Sequence, residues 1–162
     1  MKRILVAMFA LGLFACNDTN ENTKALEERI EKLEEKIENT YKPGLGDFMS
    51  SIQAHHSKLW FAGQNENWDL ADFEIHELME AVEGIQEFHK GRKEAEMIEM
   101  IIPPLEEVDK AIEMEDPTKF VSSYTTLTNT CNQCHHATGY EFNVVQIPDT
   151  SPFTNQNFEI SK

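Results

Sequence analysis

The stretch "FVSSYTTLTNTCNQCHHATG", residues 120–139, sets the reading of the whole chain. Phe120, Val121, Tyr124 and Leu127 recur at helical spacing and run without a turn signal into Cys131. Just upstream, "EDPTKF" supplies Asp116 as a cap and Pro117 at the first helical position. A helix therefore opens near residue 117 and delivers two cysteines, Cys131 and Cys134, three residues apart and followed by His135 and His136.

Outward from this helix the same period continues. From Leu45 onward there is almost no alternating, strand-like pattern. A helix is expected over about 46–62, with Phe48, Met49, Ile52, His56, Leu59 and Trp60 along one side, stopped by Gly63 and "QNEN". A second is expected over about 69–90, capped by Asn67 or Asp69, with Leu70, Phe73, Leu78, Val82 and Ile85 as its inward stripe. Pro103 and Pro104 cannot sit inside a continuous hydrogen-bond ladder, so the third is expected in two pieces, 94–102 and 104–115. The expectation is an all-α fold, an antiparallel four-helix bundle over residues 44–142, with residues 143–162 as an extended C-terminal strap.

The N-terminal part is different in kind. Lys2 and Arg3 precede "ILVAMFALGLFA", an apolar run shorter than the roughly 20 residues that span a bilayer, so residues 1–15 read as a signal peptide. "LFAC", residues 13–16, resembles the bacterial lipobox, although Phe14 is bulkier than usual there. That resemblance implies that Cys16 becomes the first mature residue and carries diacylglycerol, a lipid anchor on the extracytoplasmic, periplasmic face of the envelope.

Residues 17–24, "NDTNENTK", contain nothing to bury and read as a flexible tether. Over 25–43, Leu26, Ile30, Leu33 and Ile37 fall at gaps of four, three and four among Glu, Lys and Arg. This is a charged stalk helix or, since Ile at a with Leu at d favours two parallel strands, a short coiled coil that makes a homodimer. "KPGLG", residues 42–46, marks the domain boundary.

The chain of 162 residues has a net charge of −15, and loss of Lys2 and Arg3 with the leader takes it to −17. So acidic a surface argues against nucleic acid and against direct contact with anionic lipid, and suits a basic protein partner.

Three chemistries use a Cys-x-x-Cys pair. A thioredoxin-like redox pair belongs in an alternating β and α chain, which this is not. A structural zinc site wants a second ligand pair; with three cysteines in all, one of them assigned to lipid, it would need a distant His. Cys-x-x-Cys-His is the attachment sequence of haem c, in which both sulfurs join the haem and the His supplies an axial nitrogen. Residues three apart share one helix face, so both sulfurs reach one porphyrin edge. The composition yields this five-residue pattern by chance only roughly 0.002 times per chain, so haem c is the favoured reading.

Small cytochromes that take a downstream Met as second ligand are excluded by order, because no Met follows Met114. A helical domain with "CNQCH" on its last helix and "MSSIQAHH", residues 49–56, early in its first resembles the cytochrome c′ family of four-helix bundles. The resemblance implies one covalent haem c on Cys131, Cys134 and His135. Met49 and His56 match the distal positions of Met-ligated relatives, and an open, gas-binding face is the other family state.

Met49, Ile52, Gln53 and His56 share a helix face, so Met49 as ligand, His56 or His55 as ligand, and an open face all stay in play. His76, His89 and His136 read as surface or flanking residues. The expected function is a monohaem c-type cytochrome lipoprotein that passes single electrons to a redox partner. The alternatives are a five-coordinate NO- or CO-binding protein and a haem-free anchored interaction protein. Nothing resembles a catalytic constellation, and His56 is the sole candidate for a distal base.

Overall fold

The computed structural model describes residues 15–38, 40 and 42–160. The signal peptide expected over residues 1–15 lies, up to residue 14, outside the described residues, and so does the Cys16 side chain at which lipidation is expected. The described chain is all-helical, with no strand, and divides into a unit ending at Lys42 and a unit beginning at Pro43. No described helix is long and apolar enough to cross a membrane.

The first unit is one helix, α1 (Ala15–Glu38). It takes in residues 17–24, so the expected flexible tether is helical. Starting a helix is the costly step, and "ALEERIEKLEEKIE" is rich in good formers. Extending it through Asn, Asp and Thr then costs only a few tenths to about 0.7 kcal/mol per residue. Leu26, Ile30, Leu33 and Ile37 are all more than half exposed, at 60, 53, 51 and 66%. The stripe therefore stands open in the single chain.

The second unit contains α2 (Leu45–Gln64), α3 (Trp68–Phe88), α4 (Lys93–Met97), a 3₁₀ turn (Ile98–Ile101), α5 (Ile102–Glu113) and α6 (Pro117–Thr138). Each boundary has a local cause. Asp47 accepts from the Gly44 N–H at 2.8 Å to open α2. The side chain of Asn67 accepts from Leu70 N at 3.3 Å to open α3, and Asp116 accepts from the N–H groups of Thr118 and Lys119 to open α6. Gly139, at φ +86°, closes α6 in the left-handed conformation, with Tyr140 N–H returning to His135 O at 2.7 Å.

The expected break in the third helix falls elsewhere. The 3₁₀ turn over 98–101 makes the interruption, and Pro103 and Pro104 sit in the first turn of α5. There an N–H would have no intrahelical acceptor, so proline costs nothing.

The three-residue link 65–67 folds α3 back on α2, and α5 lies on both α3 and α6. Tyr124, Phe120, Leu59, Ile75, Ile85, Leu127 and Val108 form the fully buried centre. Phe73 and Val121, expected inside, are 53 and 40% exposed; each lies one position off the buried stripe set by Glu74, Ile75 and Leu78 or by Phe120, Tyr124 and Leu127. Phe158 near the chain end is buried and packs on Phe61, while the Asn67 side-chain amide donates to Phe158 O, so the strap's far end is pinned to the α2–α3 corner.

Helices α2 and α6 run in opposite directions and approach unevenly. They meet closely where Gly63 faces Phe120. A Cβ added at Gly63 would stand 2.2 Å from the Phe120 ring, which is itself fully buried. Gly63→Ala should therefore lower the unfolding free energy by about 1–3 kcal/mol despite Ala's better helix propensity. Gly84→Ala meets the ring of Phe48, which is only partly buried and can swing aside, so its cost should be smaller. Urea denaturation of both variants checks the order.

Candidate functional site

Away from the Gly63 contact, α2 and α6 separate. A cavity of about 290 Å³ opens between the first half of α2 and the last half of α6. Its α2 wall carries Met49, Ile52, Gln53 and His56; its α6 wall carries Cys131, Cys134 and His135. Ile98 and Ile101 of the 3₁₀ turn line it, and Asn143, Val144 and Val145 of the strap complete it. All five residues singled out in the domain's sequence thus reach one cavity, three from α6 and two from α2.

Two further cavities share its walls. One of about 380 Å³ continues past Met49, Cys134 and His135 to Arg92, Glu94 and Tyr140. The other, about 540 Å³, continues past Ser50, Gln53 and His56 beneath the strap to Phe153. Together they form a slot along α2 and α6.

The two thiols are buried and unpaired. Burial pushes the Cys131 thiol up to about 12, with the neighbouring Cys134 adding to it. Cys134 is also raised, first by burial and then by the Glu94 carboxylate. Both are held as neutral S–H groups, the opposite of the acidic thiol that a disulfide-exchange pair needs.

His135 shows a different preparation. Its Nδ1 lies 2.6 Å from the carbonyl oxygen of Asn143, a bond in which the ring nitrogen must donate. The proton is thereby assigned to Nδ1 and the lone pair to Nε2, the form a metal-binding imidazole takes.

His56 is engaged at both ring nitrogens. Nε2 lies 2.9 Å from Thr128 Oγ1 and Nδ1 3.0 Å from the Tyr124 hydroxyl, whose ring stacks on the imidazole. The Tyr124 hydroxyl also donates to His56 O at 2.7 Å. His55, the next residue, points to the other side of α2, where its Nδ1 meets the buried Glu74 carboxylate at 2.6 Å. Of the distal candidates, only Met49 lines the cavity without a hydrogen-bonded commitment elsewhere.

At the rim, Arg92 donates to both oxygens of Glu94, Nη2 to Oε1 at 2.9 Å and Nε to Oε2 at 3.3 Å. Tyr140 adds its hydroxyl to Oε1 at 3.2 Å. The Arg92 hydrogen bonds, foremost, hold the Glu94 carboxyl down at about 2. Among the described residues that line the three cavities, Arg92 is the one Arg or Lys.

Sequence reasoning missed the strap's tie to α6. Asn132, between the two cysteines, donates from Nδ2 to Val145 O at 2.9 Å and accepts from Val145 N at 2.8 Å. An amide side chain bonding both groups of one backbone residue leaves no periodic trace in sequence. His76 and His136 are exposed, as expected, and His89 is half-buried against Pro43 O at 3.2 Å.

No family model, no curated protein and no solved structure matches the chain.

His56 generates a pH dependence. Desolvation pushes its pKa down from 6.5 to about 4. Below about pH 6.5 the unfolded chain takes up a proton at His56 that the folded chain refuses until about pH 4. Stability is therefore full above that window and falls with pH inside it, by about 2 kcal/mol at pH 5. Urea midpoints measured from pH 7 to 5 should drop in the native protein and drop less in His56→Gln; His76 is unchanged in both proteins, so the difference isolates His56.

Proposed function

We propose that the protein is a monohaem c-type cytochrome, a four-helix bundle of α2, α3, α5 and α6 that passes single electrons at the extracytoplasmic face of the envelope, anchored by lipid on Cys16. The observation that carries this is the meeting of Cys131, Cys134 and His135 on one wall of a cavity with Met49 on the other.

The donor set suits haem c. Two neutral thiols stand one helical turn apart, ready to add S–H across two vinyl groups, sulfur to one carbon and hydrogen to the other. His135 offers Nε2 because Asn143 O holds its other nitrogen. The slot is apolar where Ile52, Ile98 and Ile101 line it, and Arg92 at the rim can meet a carboxylate. Haem c, when bound, supplies an iron that accepts and returns one electron.

The chain's own residues set the conditions of that exchange. His135 and Met49 are the residues that would ligate the iron, and a thioether ligand would favour a higher reduction potential than a second imidazole. Ile52, Ile98, Ile101 and the strap exclude water and lower the local dielectric. His56, held by Tyr124 and Thr128, supports the wall of the slot and is not offered as the second ligand. The acidic surface favours a basic redox partner. The stalk α1 spaces the domain from the membrane. Glu27 and Glu34 flank one side of its seam and Arg29 and Lys36 the other, a pattern that sets opposite charges together only in a parallel homodimer.

The test is an optical spectrum of the chain exported in a host with haem c maturation, oxidised and reduced, with and without CO. Covalent haem that survives denaturation, shows a sulfur-to-iron band and ignores CO is expected. In Met49→Ala the sulfur band should vanish and CO should bind. Rapid CO binding by the native protein would instead select the gas-binding alternative. Cys131→Ser with Cys134→Ser should abolish covalent attachment, and haem retained through denaturation in that double variant would falsify the assignment.

A further inference from the structure

The strap beyond Gly139 is tied to α6 at two adjacent points. Asn132 and His135 are three apart on a helix and so lie on one face, about 5–6 Å from each other. Asn143 and Val145 are two apart in the strap, a span of at most about 7 Å, so one crossing of the strap can meet both side chains. Asn132 closes a paired hydrogen bond with Val145, and His135 Nδ1 meets Asn143 O. A turn with Asn143 N–H on Tyr140 O at 2.8 Å brings the chain round to this crossing.

We infer that Asn132 is a positioning residue for the iron ligand: by clamping Val145 it holds the Asn143 carbonyl on His135 Nδ1, and so fixes the orientation and donor strength of the His135 imidazole. This rests on the haem c reading of the same site. The effect of Asn132 passes through one backbone carbonyl, that of Asn143.

The physical consequence has a definite sign. An imidazole whose Nδ1–H is held by a carbonyl is a stronger donor at Nε2. Stronger donation favours the oxidised iron and lowers the reduction potential. Asn132→Ala removes both bonds to Val145. The Asn143 carbonyl is then no longer held on Nδ1, a weaker acceptor, water, takes its place there, and the potential rises. Val145→Pro deletes the N–H on the other side of the same clamp and should move the potential in the same direction. Gln133→Ala changes an exposed residue between the same two cysteines and should leave it where it was.

The experiment compares these three variants with the native holoprotein by covalent haem content and reduction potential, and compares Asn132→Ala and Gln133→Ala with it by hydrogen exchange at the Val145 amide. The expected result is equal haem content throughout, a raised potential in Asn132→Ala and Val145→Pro only, and Val145 exchange about tenfold or more faster in Asn132→Ala, since two hydrogen bonds are lost. An unchanged potential in Asn132→Ala with faster exchange overturns the positioning role while leaving the haem c reading intact. Unchanged exchange overturns the clamp itself. A native chain without covalent haem overturns the underlying reading, and this inference with it. If Asn132→Ala fails to fold, Val145→Pro, which leaves Asn132 in place and loses the N–H side of the clamp without adding charge, should show a smaller rise in the same direction, and no rise there counts against the proposal.

Discussion

The buried contact of His56 with Tyr124 and Thr128 sets how far α2 stands from α6, and the site depends on that separation. On one side of it the helices close: Trp60 stacks on Phe120 and leans on Tyr124, and Gly63 lets the Phe120 ring approach the α2 backbone. On the other side they part, and the cavity between Met49 and Cys131 begins. A polar contact at this point accomplishes something an apolar one would not. Burying an imidazole is costly unless both nitrogens are satisfied, and few geometries satisfy both. The hydrogen bonds to Thr128 Oγ1 and the Tyr124 hydroxyl therefore select one register of α2 against α6 where interdigitating leucines would tolerate several.

The neighbouring residue completes the constraint. His55 and His56 project from α2 in different directions, as adjacent helix residues must. One reaches α3 through Glu74, which is fully buried and also 4.0 Å from Lys58; the other reaches α6. His56, Glu74 and Thr128 are the buried polar or charged residues among those described, and every one belongs to these two links. The polar groups of the core are thus concentrated on fixing a single helix. That helix carries Met49, so its placement relative to Cys131 and Cys134 is set by contacts that Met49 itself does not make.

Much of this frame was legible in the chain. Period and capping residues located α2, α3 and the start of α6 to within about two residues, because Asn67, Asp116 and Pro117 act through local chemistry that sequence displays. The two cysteines and His135 were legible for the same reason: three-residue spacing on a helix is a geometric statement. What escaped depends on tertiary placement. Whether Phe73 or Glu74 faces inward turns on a rotation of α3 that its partner helices decide, and His55 pairs with Glu74 there. The helical continuation through residues 17–24 escaped because propensity is a weak guide once a nucleus stands beside it. Asn132 carried no signal at all, since the x positions of a Cys-x-x-Cys-His motif are read as spacers.

The position of the motif in the chain has its own consequence. His56 and Thr128 are 72 residues apart, and their contact already joins the first and last helices of the domain. Ligands drawn from Met49 and His135 would close a longer loop over the same two helices, with α3, α4 and α5 inside it. Loop-closure entropy grows only with the logarithm of loop length, so joining the ends of the domain adds little cost beyond joining its middle, while it restrains nearly the whole chain. Where the motif stands at the start of a domain, the group it holds can be present before most of the fold exists. Here α2 through α5 precede Cys131, so the α2 wall, the 3₁₀ turn and the hydrogen-bonding partners of α6 are specified by sequence that comes first. The strap follows last and completes the cavity wall by bringing Asn143 to His135. The order of elements thus matches the order in which the site's parts constrain one another: α2 is placed by α3, α6 is registered on α2 through His56, and the residues after Gly139 orient the imidazole that α6 has delivered.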